Sequence, residues 1–155
     1  MSLENEAPIH IAQDMNTYRI PGSKNSTFLA ALFELFEISW ITTRLDDSHL
    51  GYLLVQENNI FIGSNQKHSR YRQLLSAAHM LGHYLMKHYT AGQPITCCGF
   101  SSTLTREIEA ITFAEELLMP RERLAELKDK YNTEQLAIKL EIPSGVMRRR
   151  LDELR

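Results

Sequence analysis

The 155-residue chain has few cysteines, no long apolar run and no excess of charge of either sign. Its two cysteines, Cys97 and Cys98, are adjacent and could join only through a strained ring, which excludes a disulfide framework and fits a reducing cytoplasm. The longest apolar run, Phe28 to Phe33, falls far short of the roughly 18 residues that a bilayer span requires, so no membrane helix is expected. The first residues, Met1-Ser2-Leu3-Glu4-Asn5-Glu6, lack a basic segment followed by an apolar one, and no secretory signal is expected. With 17 Lys and Arg against 19 Asp and Glu, the net charge of −2 argues against a surface built to coat nucleic acid. Internal repeats and low-complexity segments are also missing. What is present is an ordinary globular composition, 43% apolar and 23% charged, in a chain long enough to bury a core without staples.

Along the chain, residues 1–24 carry few apolar positions and the Pro21-Gly22 punctuation, and read as an irregular arm. Asn25 and Ser26 offer capping side chains to a first amphipathic helix over 27–37, with Phe28, Leu29, Leu32, Phe33, Leu35 and Phe36 mostly on one face. The β-branched and aromatic run 38–43 and the runs 49–55 and 60–62 read as strands. Asn58-Asn59 tolerates left-handed backbone, predicting a hairpin between the last two and a small, mostly antiparallel sheet. Helical periodicity returns over 69–88. A loop over 90–102 follows, then helices at 104–118, 121–130, 134–140 and 145–154, the last two capped by Thr133 and Ser144. The fold class is α+β: one domain over 25–130 with a C-terminal helical segment, 131–155, packed on it.

The chemistry concentrates in the helix over 69–88. His79 and His83 are four residues apart, so their rings lie about 40° apart around the axis and about 6 Å along it, within reach of one ion. Zinc takes neutral imidazole nitrogens and a carboxylate oxygen in a tetrahedron, and a hydrolytic site leaves the fourth position to water. The helix over 104–118 can supply the carboxylate from Glu107 or Glu109, which point to different sides and cannot both face one ion. His88 reads as a solvated helix-end histidine pointing elsewhere. His10, His49 and His68 have no ligand-like spacing.

The segment Ser76-Ala77-Ala78-His79-Met80-Leu81-Gly82-His83 resembles the metal-binding helix of the ImmA/IrrE family of zinc metallo-endopeptidases, whose motif is H-E-x-x-H or H-E-x-G-H. A second block, Glu107-Ile108-Glu109-Ala110-Ile111-Thr112-Phe113-Ala114-Glu115-Glu116-Leu117-Leu118-Met119-Pro120, is similar to the family's E-x-E-A-x-x-F-A-x-x-L-L-M-P, in the same order and separation. The resemblance covers roughly residues 26–154. It implies a zincin-like arrangement of small sheet and metal-binding helices, one zinc per chain, and Glu109 as the third ligand beside His79 and His83, with Glu107 the less favoured alternative. It also implies a protein substrate, commonly a helix-turn-helix repressor of a phage, mobile element or stress response.

One position departs from the family. Met80 stands where the catalytic glutamate is expected, and a thioether can neither take a proton from a metal-bound water nor deliver one to a leaving nitrogen. Losing a general base costs about 10²–10⁴ in rate. The expectation is therefore a peptidase-like regulator of weak or absent activity; the alternative is an active zinc endopeptidase. Glu115 and Glu116, candidates to replace the lost base, read as ordinary exposed helix positions. A thiolate of Cys97 or Cys98 would close the fourth zinc position, although reduced packing cysteines are the plainer reading.

The tail 133–151 has a helix-turn-helix-like pattern with Arg148, Arg149 and Arg150 on its second piece, which raises a DNA-binding alternative. Residues 121–155 hold nine basic and seven acidic residues, a weak surplus for phosphate contacts. Val146, Met147 and Leu151 read as packing positions and the arginines as a solvated or partner-contact face, so direct nucleic-acid binding is not expected.

Overall fold

The computed structural model describes residues 6–97, 99, 100 and 102–155. Among these, seven helices and four strands run in the order α1 (Glu6–Asn16), α2 (Asn25–Leu35), β1 (Ile38–Thr43), β2 (Gly51–Gln56), β3 (Asn59–Asn65), α3 (Arg70–Leu85), β4 (Ile95–Cys97), α4 (Thr105–Leu118), α5 (Arg121–Leu127), α6 (Thr133–Leu140) and α7 (Ser144–Glu153). This is an α+β fold. The strands form one sheet in the order β1-β3-β2-β4. β2 pairs antiparallel with both β3 and β4, whereas β1 runs parallel to β3, from Ile38 opposite Ile60 to Thr43 opposite Asn65.

Helix α3 is the central element. Ser69 caps it by accepting from the Arg72 N–H, and every residue from Leu74 to His83 is buried. A helix apolar on all sides needs cover on all sides. β2, β3 and α2 supply it on one flank and α4 on the other. Gly82 permits the close approach of α4, because a Cβ there would lie 2.8 Å from Phe113 Cδ1 and 3.3 Å from the Ala110 carbonyl oxygen.

Several local expectations are corrected. Residues 6–16 are helical, not an irregular arm, and α1 packs on α4 with Pro8, Ile9 and Ala12 buried. So few inward residues in eleven leave a periodic signal too thin to read. β4 lies inside the expected 90–102 loop; three residues are too few for an alternating pattern. The left-handed turn residue in the β2–β3 hairpin is Glu57, φ 55°, and not the Asn-Asn pair.

Capping also differs. Asn25 and Ser26 begin α2 rather than cap it, and the Glu141 carboxylate accepts from the Ser26 N–H at 2.9 Å and its hydroxyl at 2.6 Å. Asn132, not Thr133, caps α6, in a reciprocal pair with Gln135. Ser144 lies inside α7, after Pro143.

Candidate metal centre

His79 and His83, one turn apart on α3, turn their Nε2 atoms to within 3.1 Å of each other. Glu107, in the first turn of α4, places Oε2 2.9 Å from His79 Nε2 and Oε1 3.1 Å from His83 Nε2. Among the described residues, these three form the group whose donor atoms lie close enough together to hold one metal ion.

Both imidazoles are almost wholly buried, and the Glu107 side chain is 25% exposed. Burial, reinforced by His79 alongside, lowers the His83 pKa to about 4, so the ring is neutral near pH 7. The hydrogen bond with His79 holds the Glu107 carboxyl below its ordinary range. Neutral imidazole and ionised carboxylate are the forms that ligate metals.

Donors about 2.0–2.1 Å from a tetrahedral zinc lie about 3.3 Å apart. With one donor atom taken from each residue, the three atoms lie within 4.8 Å of one another, and the two imidazole nitrogens, 3.1 Å apart, need to open by only a few tenths of an ångström to meet that spacing. His79 Nδ1 is buried without a hydrogen-bond partner. Ligation through Nε2 would put the ring hydrogen on Nδ1, which meets no acceptor among the described residues. The donor set fits the metal that the sequence led us to expect, with Glu107 in the third position.

Glu109, the favoured sequence candidate, lies elsewhere: its Oε2 is 3.0 Å from His88 Nε2. The buried stripe of α4 runs through Ala110, Phe113, Ala114 and Leu117. Glu107 and Glu109 flank that stripe on opposite sides, about 70° and 90° from its centre at 100° per residue. Spacing therefore could not choose between them.

His88 corrects a further expectation, since it is a nearly buried neighbour of the site and not a solvated end residue: its side chain is 10% exposed, with Nδ1 3.0 Å from His83 Nδ1. On a continuous helix, five residues would carry it about 140° away from His83. Instead α3 stops at Leu85, and Lys87 adopts a left-handed φ of 58°. The N–H of His88 then donates to the His83 carbonyl at 2.9 Å, and that of Lys87 to Tyr84 at 3.1 Å, a Schellman ending that folds His88 back over the last turn. Arg106 from α4 donates to the His88 carbonyl at 3.3 Å. The Phe100 ring meets His79 edge-on at 5.9 Å, a contact that sequence spacing did not suggest.

Met80 is fully buried in the hydrophobic core. Glu115 and Glu116 both pair with arginines. Glu116, expected to be exposed, is 1% exposed and ion-paired with Arg121 and Arg150. Glu115 is half-buried, which raises its pKa, and faces Arg149. Cys97 is buried at the end of β4, its Sγ 3.3 Å from the Gly99 carbonyl oxygen, and is not part of the converging donor group. Cys98 lies outside the described residues. Tyr84 stacks on Tyr89 at 5.7 Å.

In the tail, all three arginines contact acids of the same chain. Arg148 pairs with Glu134, Arg149 with Glu115 and Glu153, and Arg150, which is buried rather than solvated, with Glu116. No helix among the described residues is long and apolar enough to cross a membrane.

Against known proteins, residues 33–152 match the sequence model of the IrrE N-terminal-like domain, a span that includes α3, α4 and the whole donor group. Comparison with curated proteins found no match.

Proposed function

Because the chain belongs to the IrrE N-terminal-like peptidase family, whose members are zinc-dependent, we propose that it is a zinc-binding regulator of peptidase ancestry that binds a helix-turn-helix repressor and cleaves it weakly or not at all. His79, His83 and Glu107 hold the metal. The bound zinc supplies a Lewis acid and an acidified water. In this chain, His79 and His83 would offer ring nitrogens from a buried helix, and Glu107 would balance charge from the more open side. The step left without an agent is proton transfer from water to the leaving nitrogen.

Met80 is the observation that carries this reading. It occupies the motif's general-base position with a side chain that binds no proton, while Glu115 and Glu116 are committed to arginines. The engagement of Arg148, Arg149 and Arg150 by acids favours a protein partner over duplex DNA.

The test is to compare wild type with Met80→Glu on repressors encoded near this gene, measuring binding by pull-down and cleavage by mass spectrometry. Wild type should bind one repressor and leave it largely intact. Met80→Glu should raise cleavage by about 10²–10⁴, the usual worth of a general base. Efficient cleavage by the wild type, abolished in His83→Ala, would establish the active endopeptidase instead.

A further inference from the structure

The metal-facing histidine His83 is connected, on its far side, to a chain of two more groups. His83 Nδ1 lies 3.0 Å from His88 Nδ1, and His88 Nε2 lies 3.0 Å from Glu109 Oε2. All three side chains are buried or half-buried, at 2%, 10% and 27% exposure. Two features of the backbone hold the chain in place. The left-handed Lys87 folds His88 onto His83, and the flank of α4 opposite Glu107 presents Glu109.

When both rings are neutral, one order of hydrogens satisfies both contacts of His88, and it leaves Glu107 Oε1, 3.1 Å from His83 Nε2, without a hydrogen from that nitrogen until a cation lies between them. An ionised carboxylate only accepts, so His88 Nε2 must carry the hydrogen that it shares with Glu109. A neutral imidazole carries one hydrogen, so His88 Nδ1 is then a lone pair. The short contact between the two Nδ1 atoms needs one hydrogen, which must sit on His83. His83 Nε2 is thereby left as a lone pair, and that atom faces His79 and Glu107. The opposite order would let His83 Nε2–H donate to Glu107 but would leave His88 Nε2 without a hydrogen facing Glu109, and it would take His83 Nε2 out of ligation.

We infer that Glu109 and His88 are positioning residues which fix the tautomer and orientation of His83, so that its Nε2 is always presented to a cation in the His79–His83–Glu107 site. The inference rests on the metal-site reading proposed above and gives Glu109 a role other than that of ligand. Groups that hold a ligating histidine by its second nitrogen commonly contribute 10–100-fold to metal affinity. The lowest free energy of binding is reached only if the ring need not reorganise when the ion arrives.

The experiment has two independent readouts on tag-free, full-length protein. Nitrogen-15 NMR of the metal-free wild type reports the His83 tautomer: Nδ1–H is expected, and Nε2–H would overturn the inference. Competition against a chelating dye reports zinc affinity. Glu109→Leu and His88→Phe should each keep one zinc per chain but weaken it about 10–100-fold, and should give mixed His83 tautomers, with Glu109→Asp restoring part of both. Two substitutions on different elements guard against a folding defect in either, which thermal melting would reveal. Zinc affinity unchanged in both folded variants would overturn the inference while leaving the ligand set intact. Loss of zinc in Glu109→Leu together with full retention in Glu107→Ala would overturn the ligand set itself, because Glu109 would then be a ligand.

Discussion

At the residue scale, the site is governed by how burial selects protonation states. His83 titrates at about 4 in the fold, because burial and His79 disfavour its cation, against about 6.5 when exposed. The unfolded chain therefore binds the extra proton first as pH falls. The contribution of a neutral His83 to stability is complete above about pH 6.5 and is lost progressively down to about pH 4, an effect of about 3 kcal/mol. Urea denaturation of chelator-treated protein between pH 7 and 4 should show this decline, and His83→Gln should flatten it. The histidine pair was legible in the sequence because its i, i+4 spacing is a property of any helix. The choice of Glu107 was not, since it and Glu109 lie almost symmetrically about the buried stripe of α4. His88 was hidden for another reason: its place depends on a left-handed conformation at Lys87, a residue type that gives no sign of it.

At the scale of elements, the contact between α3 and α4 builds the centre. Gly82 faces Phe113 and the Ala110 carbonyl, one turn beyond Glu107, so the absence of one methyl group sets how closely the carboxylate approaches the imidazoles. Gly82→Ala should destabilise the protein by about 1–3 kcal/mol, the usual cost of overfilling a packed core. Its urea midpoint should fall, and its zinc affinity with it. If the midpoint falls and affinity holds, the interhelical distance does not control the site. The long, strongly periodic helices were legible from their apolar spacing. The parallel β1–β3 pairing, the three-residue β4 and the sparsely buried α1 depend on tertiary neighbours, and local pattern carries little of them.

At the scale of the whole molecule, buried polar groups tie the N-terminal and C-terminal segments to α4, the helix that carries Glu107. Asn25 donates to the Leu118 carbonyl at 3.0 Å and the Leu140 carbonyl at 2.6 Å, and accepts from Arg19 at 2.8 Å. Arg19 also donates to the Leu117 carbonyl, so two side chains satisfy the open ends of α4 and α6 together. Asn25→Ala would strand these groups and should cost about 3 kcal/mol, measurable by denaturant titration. Glu116 joins Arg121 and Arg150 in the same way, fastening α7 against α4. The tail thus packs on α4 through the buried Arg150, with Met147 buried beside it in the core.

The most direct test of the account is the zinc content of tag-free protein alongside His83→Ala, Glu107→Ala and Glu109→Leu. About one zinc per wild-type chain is expected, lost in His83→Ala and Glu107→Ala and retained, more weakly, in Glu109→Leu. A wild type that takes up no zinc even when incubated with the metal, or zinc that survives Glu107→Ala, would contradict it.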